Sequence, residues 1–336
     1  MVVLNIPIEP LEERYSVQWN IWFLKHFIQE KVKVITIYGD KATGIIEHGS
    51  FLDVLNTNEY KTSQLNKIIT YLKTYKDNEK LVLFFHDLWF PGLTNIAYIR
   101  EGMGFKNIKI VGCLHAGSYD KFDFLNKANM TKWACFIEKG WFNHVLDEIY
   151  VATHFHKQLL LKKRVTFDNI KVTGFPIFPI VDFAQGKKEN IIVFPHRLDS
   201  EKQPELFDNI AKSFFKHSSN WLFLKTKEQC TTKEDYYELL GKSKIAISFA
   251  LQETWGIAMQ EALFLNNLPL VPNRLSYVEL YQKEFQYCSI TELMQKLRYY
   301  TKNESLLLET VQENKQMLIA QGKQAIPNII KHIKNL

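Results

Sequence analysis

The sequence predicts an α/β protein built from two doubly wound domains, each a parallel sheet covered by helices. Short apolar runs rich in β-branched and aromatic residues alternate with helix-length segments along the chain, which is typical of βαβ units. The length of 336 residues also suits two domains, since one domain commonly has about 150 residues. We expect the two domains to face a cleft.

Nine apolar runs are predicted as strands, five in the first half and four in the second. They are "VVLNI", "KVITIYG", "LVLFFHD", "IKIVGCLH", "EIYVAT", and then "NIIVFPH", "WLFLKT", "KIAISFA" and "LPLVPN". Between the two sets lies "VTGFPIFPIVDFAQGKKENI", whose Pro, Gly and charged residues are typical of a domain boundary. We therefore predict an N-terminal domain over residues 1–174 and a C-terminal domain over 188–317. A last helix, about residues 318–336, is expected to pack back on the first domain.

Composition narrows the class of protein. With 46% hydrophobic and 23% charged residues, the chain resembles folded soluble proteins. The four cysteines have no metal-site spacing and are expected to be reduced core residues. We see neither a signal peptide nor an apolar run long enough to cross a bilayer, which predicts a cytoplasmic protein. The net charge of +6 is spread over both halves, so it is weak evidence for a nucleic-acid partner.

A partial glycine motif does not support a nicotinamide-dependent enzyme. "EGMGFKN" contains Gly102 and Gly104 but lacks the third glycine of a dinucleotide fingerprint, and it precedes a strand. We interpret these glycines as the C-terminal end of a helix.

A cationic turn follows the first strand of the second domain. In "FPHRLDSEKQPELFDNI" the predicted strand ends at His196, Arg197 and Lys202 follow, and Pro204 suits the first turn of a helix. A guanidinium, an ammonium and free helix N–H groups together form a good diphosphate site. Taken alone, the two cations are equally consistent with a solvated surface.

Two spaced carboxylates lie in "SFALQETWGIAMQEALFL". Glu253 precedes a helix predicted to begin near Trp255, and Glu261 lies about two turns further on. The distance between these two glutamates along the helix exceeds the spacing of about 5–9.5 Å between the paired carboxyl groups of glycosidases. It suits two hydroxylated rings joined by a diphosphate, with Gly256 allowing close approach of the backbone. A surface glutamate pair is the alternative.

Together, "PHRLDSEKQ" and "SFALQETWGIAMQEALFLNNLPLVPN" resemble the donor-binding half of retaining GT-B glycosyltransferases, which have two Rossmann-like domains. The resemblance covers about residues 190–280. It implies that Arg197 and Lys202 hold the diphosphate, that Glu253 binds sugar hydroxyls, and that Glu261 binds the ribose. The backbone of residues 254–256 (Thr254, Trp255, Gly256) would lie along the phosphate and sugar.

In the first domain the same resemblance implies that His115 of "CLHAG" contacts the donor sugar, with a packed core histidine as the alternative. His86 and Asp87, after another strand, are candidates for the acceptor side. Asn267 replaces a glycine that the family often has there, and the usual N-terminal donor loop is not recognisable.

The predicted activity is metal-independent transfer of a sugar, with retention, from a nucleotide sugar (UDP- or GDP-linked) to an acceptor hydroxyl. Residues 269–280 ("PLVPNRLSYVEL") resemble queuosine-tRNA glycosyltransferases, and phage enzymes that modify hydroxymethylated DNA bases are a related possibility. The predicted acceptor is thus a modified base of DNA or tRNA. The alternatives are a glycosyltransferase of surface polysaccharide or lipid-linked glycan, and a non-catalytic nucleotide-sugar or nucleic-acid binding module.

Overall fold

The computed structural model describes residues 1–10, 15–40, 53–166, 168–178, 187–215, 220–303 and 306–336. The chain divides into two compact units, one of residues 1–174 with 324–336 and the other of residues 175–323. Most of the predicted linker, residues 179–186, lies outside the described residues.

The first unit is a six-stranded sheet with helices between its strands. Its elements are β1 (Val2–Ile6), α1 (Tyr15–Gln29), β2 (Lys33–Thr36), α2 (Val54–Leu72), β3 (Leu81–Phe85), α3 (Leu93–Gly102), β4 (Ile108–Cys113), α4 (Phe124–Lys127), α5 (Thr131–Gly140), a π-helical turn (Trp141–Val145), β5 (Glu148–Val151), α6 (His154–Lys163) and β6 (Ile170–Val172). The strand order is β2-β1-β3-β4-β5-β6, and neighbouring strands are parallel.

The second unit contains a five-stranded parallel sheet. Its elements are β7 (Ile191–Phe194), a 3₁₀ turn (Ser200–Lys202), α7 (Pro204–Phe215), β8 (Leu222–Lys225), α8 (Thr226–Gln229), α9 (Lys233–Lys242), β9 (Ile245–Ile247), α10 (Ile257–Phe264), β10 (Leu268–Pro272), α11 (Tyr277–Leu280), a 3₁₀ turn (Lys283–Phe285), β11 (Gln286–Tyr287), α12 (Ile290–Lys302) and the part of α13 (Leu306–Asn335) up to residue 323. The strand order is β11-β10-β9-β7-β8. The predicted α/β class with two doubly wound sheets is confirmed.

The central strands of both sheets are buried on both faces. In β3 all five residues are buried, and so are all four in β7. This explains why the strands read as continuous apolar runs instead of alternating ones, because helices cover both faces of a parallel sheet.

Local sequence signals set several helix ends. α3 ends at Gly102, and Gly104 follows it with φ of 67°, a left-handed conformation that suits glycine. Pro204 is the first residue of α7, as predicted. At the start of α9, Thr232 and Asp235 form a reciprocal capping box.

The last part of α13 packs within the first unit. Lys334 forms an ion pair of 2.7 Å with Glu30, the residue after α1, and His332 lies 3.5 Å from Glu148 of β5. In the part of the chain that the structure describes, no helix is long and apolar enough to span a lipid bilayer.

The four cysteines occupy different environments. Cys113 is buried at the end of β4, Cys135 and Cys230 are half-buried, and Cys288 is exposed. The expectation that all four are core residues is therefore wrong for three of them.

Candidate functional site

In the second sheet β8 lies on one side of β7 and β9 lies on the other. The strand order therefore reverses between β7 and β9, which makes this position a topological switch point. Ligands of doubly wound sheets bind beyond the strand carboxyl ends at such a point. Here β7 is followed by His196 and β9 by Ser248, and His196 Nε2 lies 2.8 Å from Ser248 Oγ. The cationic turn and the loop that carries Glu253 begin at these two residues.

Arg197 of the cationic turn is held by two carboxylates. Its Nε lies 2.6 Å from Asp199 and its terminal nitrogen 2.7 Å from Glu201. The Arg197 side chain is 39% exposed, so the guanidinium remains accessible beside its partners.

Lys202 joins the cationic turn to the loop after β9. Its ammonium donates to the Gln252 carbonyl at 2.6 Å and lies 3.3 Å from a Glu253 carboxylate oxygen. Gln203 follows Lys202 in the left-handed conformation, with φ of 60°. A side chain in that conformation costs about 1 kcal/mol or more, which contacts elsewhere must offset. The structure thus brings together Lys202 and Glu253, two residues predicted from separate motifs.

The other oxygen of Glu253 accepts from a nest of backbone amides. The N–H groups of Thr254, Trp255 and Gly256 lie 3.2, 3.4 and 2.9 Å from it. Burial alone would raise the pKa of Glu253, but the Lys202 ammonium and the surrounding donors outweigh burial and lower it. The carboxylate is therefore ionised at neutral pH.

Gly256 is required by the geometry of this nest. Its φ is 74°, and a Cβ there would come within 3.2 Å of the Tyr277 ring. Because Gly256 is left-handed, α10 begins at Ile257, two residues later than predicted. The Gly256 amide points at Glu253, so a phosphate would have to replace this carboxylate to use it.

Glu261 lies on α10 and is 3% exposed. It accepts hydrogen bonds from Tyr236 and Tyr237 at 2.9 and 3.1 Å, and it pairs with Lys233 at 2.8 Å. Burial and the Glu261 charge raise the pKa of Tyr236 well above its ordinary value, so this hydroxyl stays a donor.

Sequence reasoning did not name these three partners on α9, although it marked "LKTKEQCTTKEDYYELL" as a region for base contacts. Their positions on one helical face, three and four residues apart, were the available signal.

Two further residues brace the loop after β9. Arg274 donates to the carbonyls of Phe249 and Ala250 at 2.8 and 3.1 Å, and Ser276 donates to the Glu253 carbonyl at 3.2 Å. These bonds fix the backbone on either side of the Glu253 nest. Arg274 and Ser276 follow β10 in the "PNRLS" segment and were not predicted as site residues.

In the first unit, His115 follows β4 and engages both ring nitrogens. Nε2 lies 2.8 Å from the His86 carbonyl, and Nδ1 lies 3.2 Å from the Tyr15 hydroxyl. A carbonyl only accepts, so Nε2 carries the hydrogen and Nδ1 accepts from Tyr15 in the neutral ring. Burial lowers the pKa of His115, which favours that neutral ring. The contact of His115 with a donor sugar stays a prediction.

The two acceptor-side candidates differ in accessibility. His86 is fully buried, and its Nε2 lies 2.7 Å from the Asn5 side-chain oxygen. This placement favours a packing contribution from His86. Asp87 is partly exposed, accepts from the Trp89 amide at 3.1 Å and lies 3.5 Å from the Lys61 ammonium. Of the two, Asp87 is the side chain that a ligand can reach.

The described residues offer anion-binding groups rather than metal ligands. No cluster of three or more His, Cys, Asp or Glu side chains within them is arranged to hold a metal ion. The groups gathered at the second sheet are a guanidinium, an ammonium, two carboxylates and backbone amides, which suit a ligand with phosphate and several hydroxyl groups.

Comparison with known proteins gives distant sequence similarity. No family model matches the chain. A tRNA-queuosine alpha-mannosyltransferase of Drosophila melanogaster is 27% identical over 43% of this chain and 46% of its own length. The match thus spans about half of the curated relative.

Solved structures resemble the whole chain. Sucrose-phosphate synthase of Thermosynechococcus elongatus superposes with a TM-score of 0.68 at 9% identity, covering 99% of this chain and 98% of its own. Anabaena HepE in complex with UDP-glucose gives a TM-score of 0.64 at 10% identity over 100% of both chains. A glycosyltransferase of Rickettsia africae gives 0.60 at 14% identity, covering 99% of this chain and 98% of its own. The predicted resemblance is confirmed: the chain has the GT-B fold of glycosyltransferases, with distant sequence similarity to a tRNA-queuosine alpha-mannosyltransferase.

Proposed function

We propose that this chain is a retaining glycosyltransferase that moves a sugar from a UDP- or GDP-sugar to a hydroxyl group on a modified nucleic-acid base. The observation that carries the proposal is the 3.3 Å pairing of Lys202 with Glu253 beside the switch point of the second sheet. Arg197 lies in the same turn as Lys202, and Glu261 lies on the helix that follows Glu253.

Each of these side chains has a chemical role in the proposal. Arg197 and Lys202 neutralise the charge that develops on the leaving diphosphate, without requiring a divalent ion. The ionised Glu253 accepts hydrogen bonds from sugar hydroxyls and fixes their orientation. Glu261 accepts from the ribose hydroxyls.

Retention follows if the acceptor attacks on the face from which the nucleotide leaves. The bond between the sugar carbon and the phosphate oxygen breaks as the bond to the acceptor oxygen forms. The acceptor proton passes to the departing phosphate. A separate catalytic base is unnecessary in this scheme.

Donor binding would exchange partners within the site. Arg197 pairs with Asp199 and Glu201, and Glu253 occupies the amide nest. A diphosphate would take the cations and amides, and sugar hydroxyls would take the Glu253 carboxylate. In this exchange the cations, the amides and the Glu253 carboxylate each gain a new partner as they lose the old one, which matters because an uncompensated buried charge is costly.

A nucleic-acid acceptor is supported by sequence similarity. The relative whose sequence matches part of this chain is described as a tRNA-queuosine alpha-mannosyltransferase. We therefore propose tRNA as the acceptor to be tested first, with hydroxymethylated DNA as the second.

The test is nucleotide-sugar turnover by Arg197→Ala and Glu253→Ala, with Arg298→Ala as the control. Arg298 is an exposed cation on α12. We expect both site variants to lose donor hydrolysis and sugar transfer to tRNA while their circular dichroism stays that of the wild type. Retained turnover in both site variants would rule out the proposed site.

A further inference from the structure

The outward face of α5 in the first unit combines two exposed aromatic rings with lysines. Trp133 is 45% exposed and Phe136 is 72% exposed. They lie three residues apart, so they share one face of the helix. Lys132 and Lys139 are exposed beside them. We call these four residues the α5 face.

The segment that carries the α5 face exposes charge of one sign. Residues 121–140 contain four lysines, all exposed, and two carboxylates, both buried. Asp123 caps α4 through the Leu125 amide, and Glu138 pairs with Arg164 at 2.9 Å. Both negative charges are thus used inside the fold, and the segment presents only positive charge to solvent. Such a surface attracts a polyanion.

The Trp133 ring packs against a second tryptophan, Trp89. It meets Trp89 edge to face, with ring centroids 6.1 Å apart and an interplanar angle of 66°. Trp89 is in turn fixed by a 3.1 Å hydrogen bond from its indole to Glu138. Trp133 is therefore a supported platform, on which stacking of a base is worth about 1–3 kcal/mol.

The α5 face is connected to the carboxyl end of the first sheet. Trp89 lies two residues after Asp87, and its backbone amide donates to the Asp87 side chain. Asp87 follows β3, which together with β1 forms the switch point of this sheet. A strand of nucleic acid lying on α5 would thus reach the edge where ligands of such sheets bind.

We infer that the α5 face binds a single-stranded segment of RNA, stacking unpaired bases on Trp133 and Phe136 while Lys132 and Lys139 contact phosphates. The inference rests on the proposed function, because it assigns the surface that receives the acceptor. Unpaired bases are the part of RNA that aromatic side chains recognise.

A membrane surface fits the α5 face less well. Helices that lie in a bilayer interface bury a broad apolar face. On α5 the only large apolar side chains that are exposed are Trp133 and Phe136, within a helix of ten residues. Two rings flanked by lysines offer stacking surfaces for bases and cations for phosphates instead.

The test is fluorescence anisotropy of a labelled RNA stem-loop with the double variant Trp133→Ala/Phe136→Ala. We expect binding at least about tenfold weaker, since each lost stack is worth about 1–3 kcal/mol. Lys132→Met/Lys139→Met should flatten the plot of log affinity against log salt by about 0.7 per lysine. Tyr299→Ala is the matched control, because Tyr299 is 54% exposed on α12 beside the exposed Arg298.

Nucleotide-sugar binding, measured by calorimetry, separates failure of this inference from failure of the proposed function. We expect the double aromatic variant to bind donor as the wild type does. RNA affinity that is unchanged in that variant, or absent in the wild type, overturns the inference, as does equal loss in the Tyr299 control. Loss of binding to anionic vesicles with intact RNA binding also overturns it and would identify a membrane surface.

Discussion

Removing the Lys202 ammonium should destabilise the second unit through Glu253. The two charges lie 3.3 Å apart, and their side chains are only 9% and 17% exposed. At an effective dielectric constant near 20 their attraction is about 5 kcal/mol, and desolvation offsets much of it. The change Lys202→Met keeps most of the length of the side chain and leaves the carboxylate without its cation. We expect the free energy of unfolding at neutral pH to fall by about 3–5 kcal/mol.

The pH dependence of that loss has a defined sign. In the wild type the pKa of Glu253 is lower in the folded chain, so its ionisation contributes stability above its unfolded pKa of about 4.3, and this is lost on acidification. In the variant, burial is no longer outweighed and the folded pKa rises. The carboxyl then protonates at higher pH, which relieves the uncompensated charge.

The assay is urea denaturation of wild type and variant at neutral pH and at about pH 5, a value near the unfolded pKa of a carboxyl. The difference between the two proteins should shrink on acidification. Lys202→Met/Glu253→Gln should recover most of the loss, because it removes the unpaired charge. Lys212→Met, at an exposed position on α7, should stay within about 0.5 kcal/mol of the wild type. A difference that does not change with pH, or a double variant no more stable than the single one, would refute this reasoning.

Three further predictions concern other parts of the fold. Glu138→Gln should cost about 3–5 kcal/mol of unfolding free energy in urea denaturation, because it leaves the mostly buried Arg164 unpaired; adding Arg164→Met should restore stability, and no recovery would contradict this. Gly256→Ala should cost about 1–2 kcal/mol, because its φ of 74° disfavours a side chain; an unchanged thermal midpoint would be evidence against a left-handed residue there. Burial, with Lys315 nearby, lowers the pKa of Lys188 to about 7. Between about pH 7 and pH 10 the unfolded chain therefore binds more protons than the folded chain, and the contribution of Lys188 to stability rises with pH. Lys188→Met should remove that rise in denaturation curves.

The sequence predicted the sheets well because parallel strands buried on both faces leave a strong signal. All nine predicted runs contain strands of the two sheets. The two missed strands, β6 and β11, have three and two residues and lie at the sheet edges. Two or three residues are too few to show a periodic pattern in the sequence. Strands this short are recognised only by their pairing with a neighbouring strand.

The candidate site was predictable in part. Arg197, Lys202 and Glu253 follow strand ends, and the topology of a doubly wound sheet gathers those ends at one edge. The shared helical face of Lys233 and Tyr236 is visible in the sequence, but their contact with Glu261 is not, because they lie 28 and 25 residues away from it along the chain. Their contact depends on how α9 packs beside α10, which residue periodicity does not encode.

The amide nest around Glu253 was also missed, and the reason is local. The sequence predicts the start of the helix near Trp255, and the resemblance to glycosyltransferases assigns the backbone of residues 254–256 to the phosphate and sugar of a ligand. The left-handed Gly256 instead turns three successive N–H groups onto one carboxylate oxygen. A glycine next to a glutamate permits this turn but does not specify it.

The most direct test of the central claim is a crystal structure of this protein grown with a UDP- or GDP-sugar. We predict the diphosphate within hydrogen-bonding distance of Arg197 and Lys202, the sugar at Glu253 and the ribose hydroxyls at Glu261. A nucleotide sugar bound at another surface of the second unit, with these four side chains unchanged and out of its reach, would contradict the account.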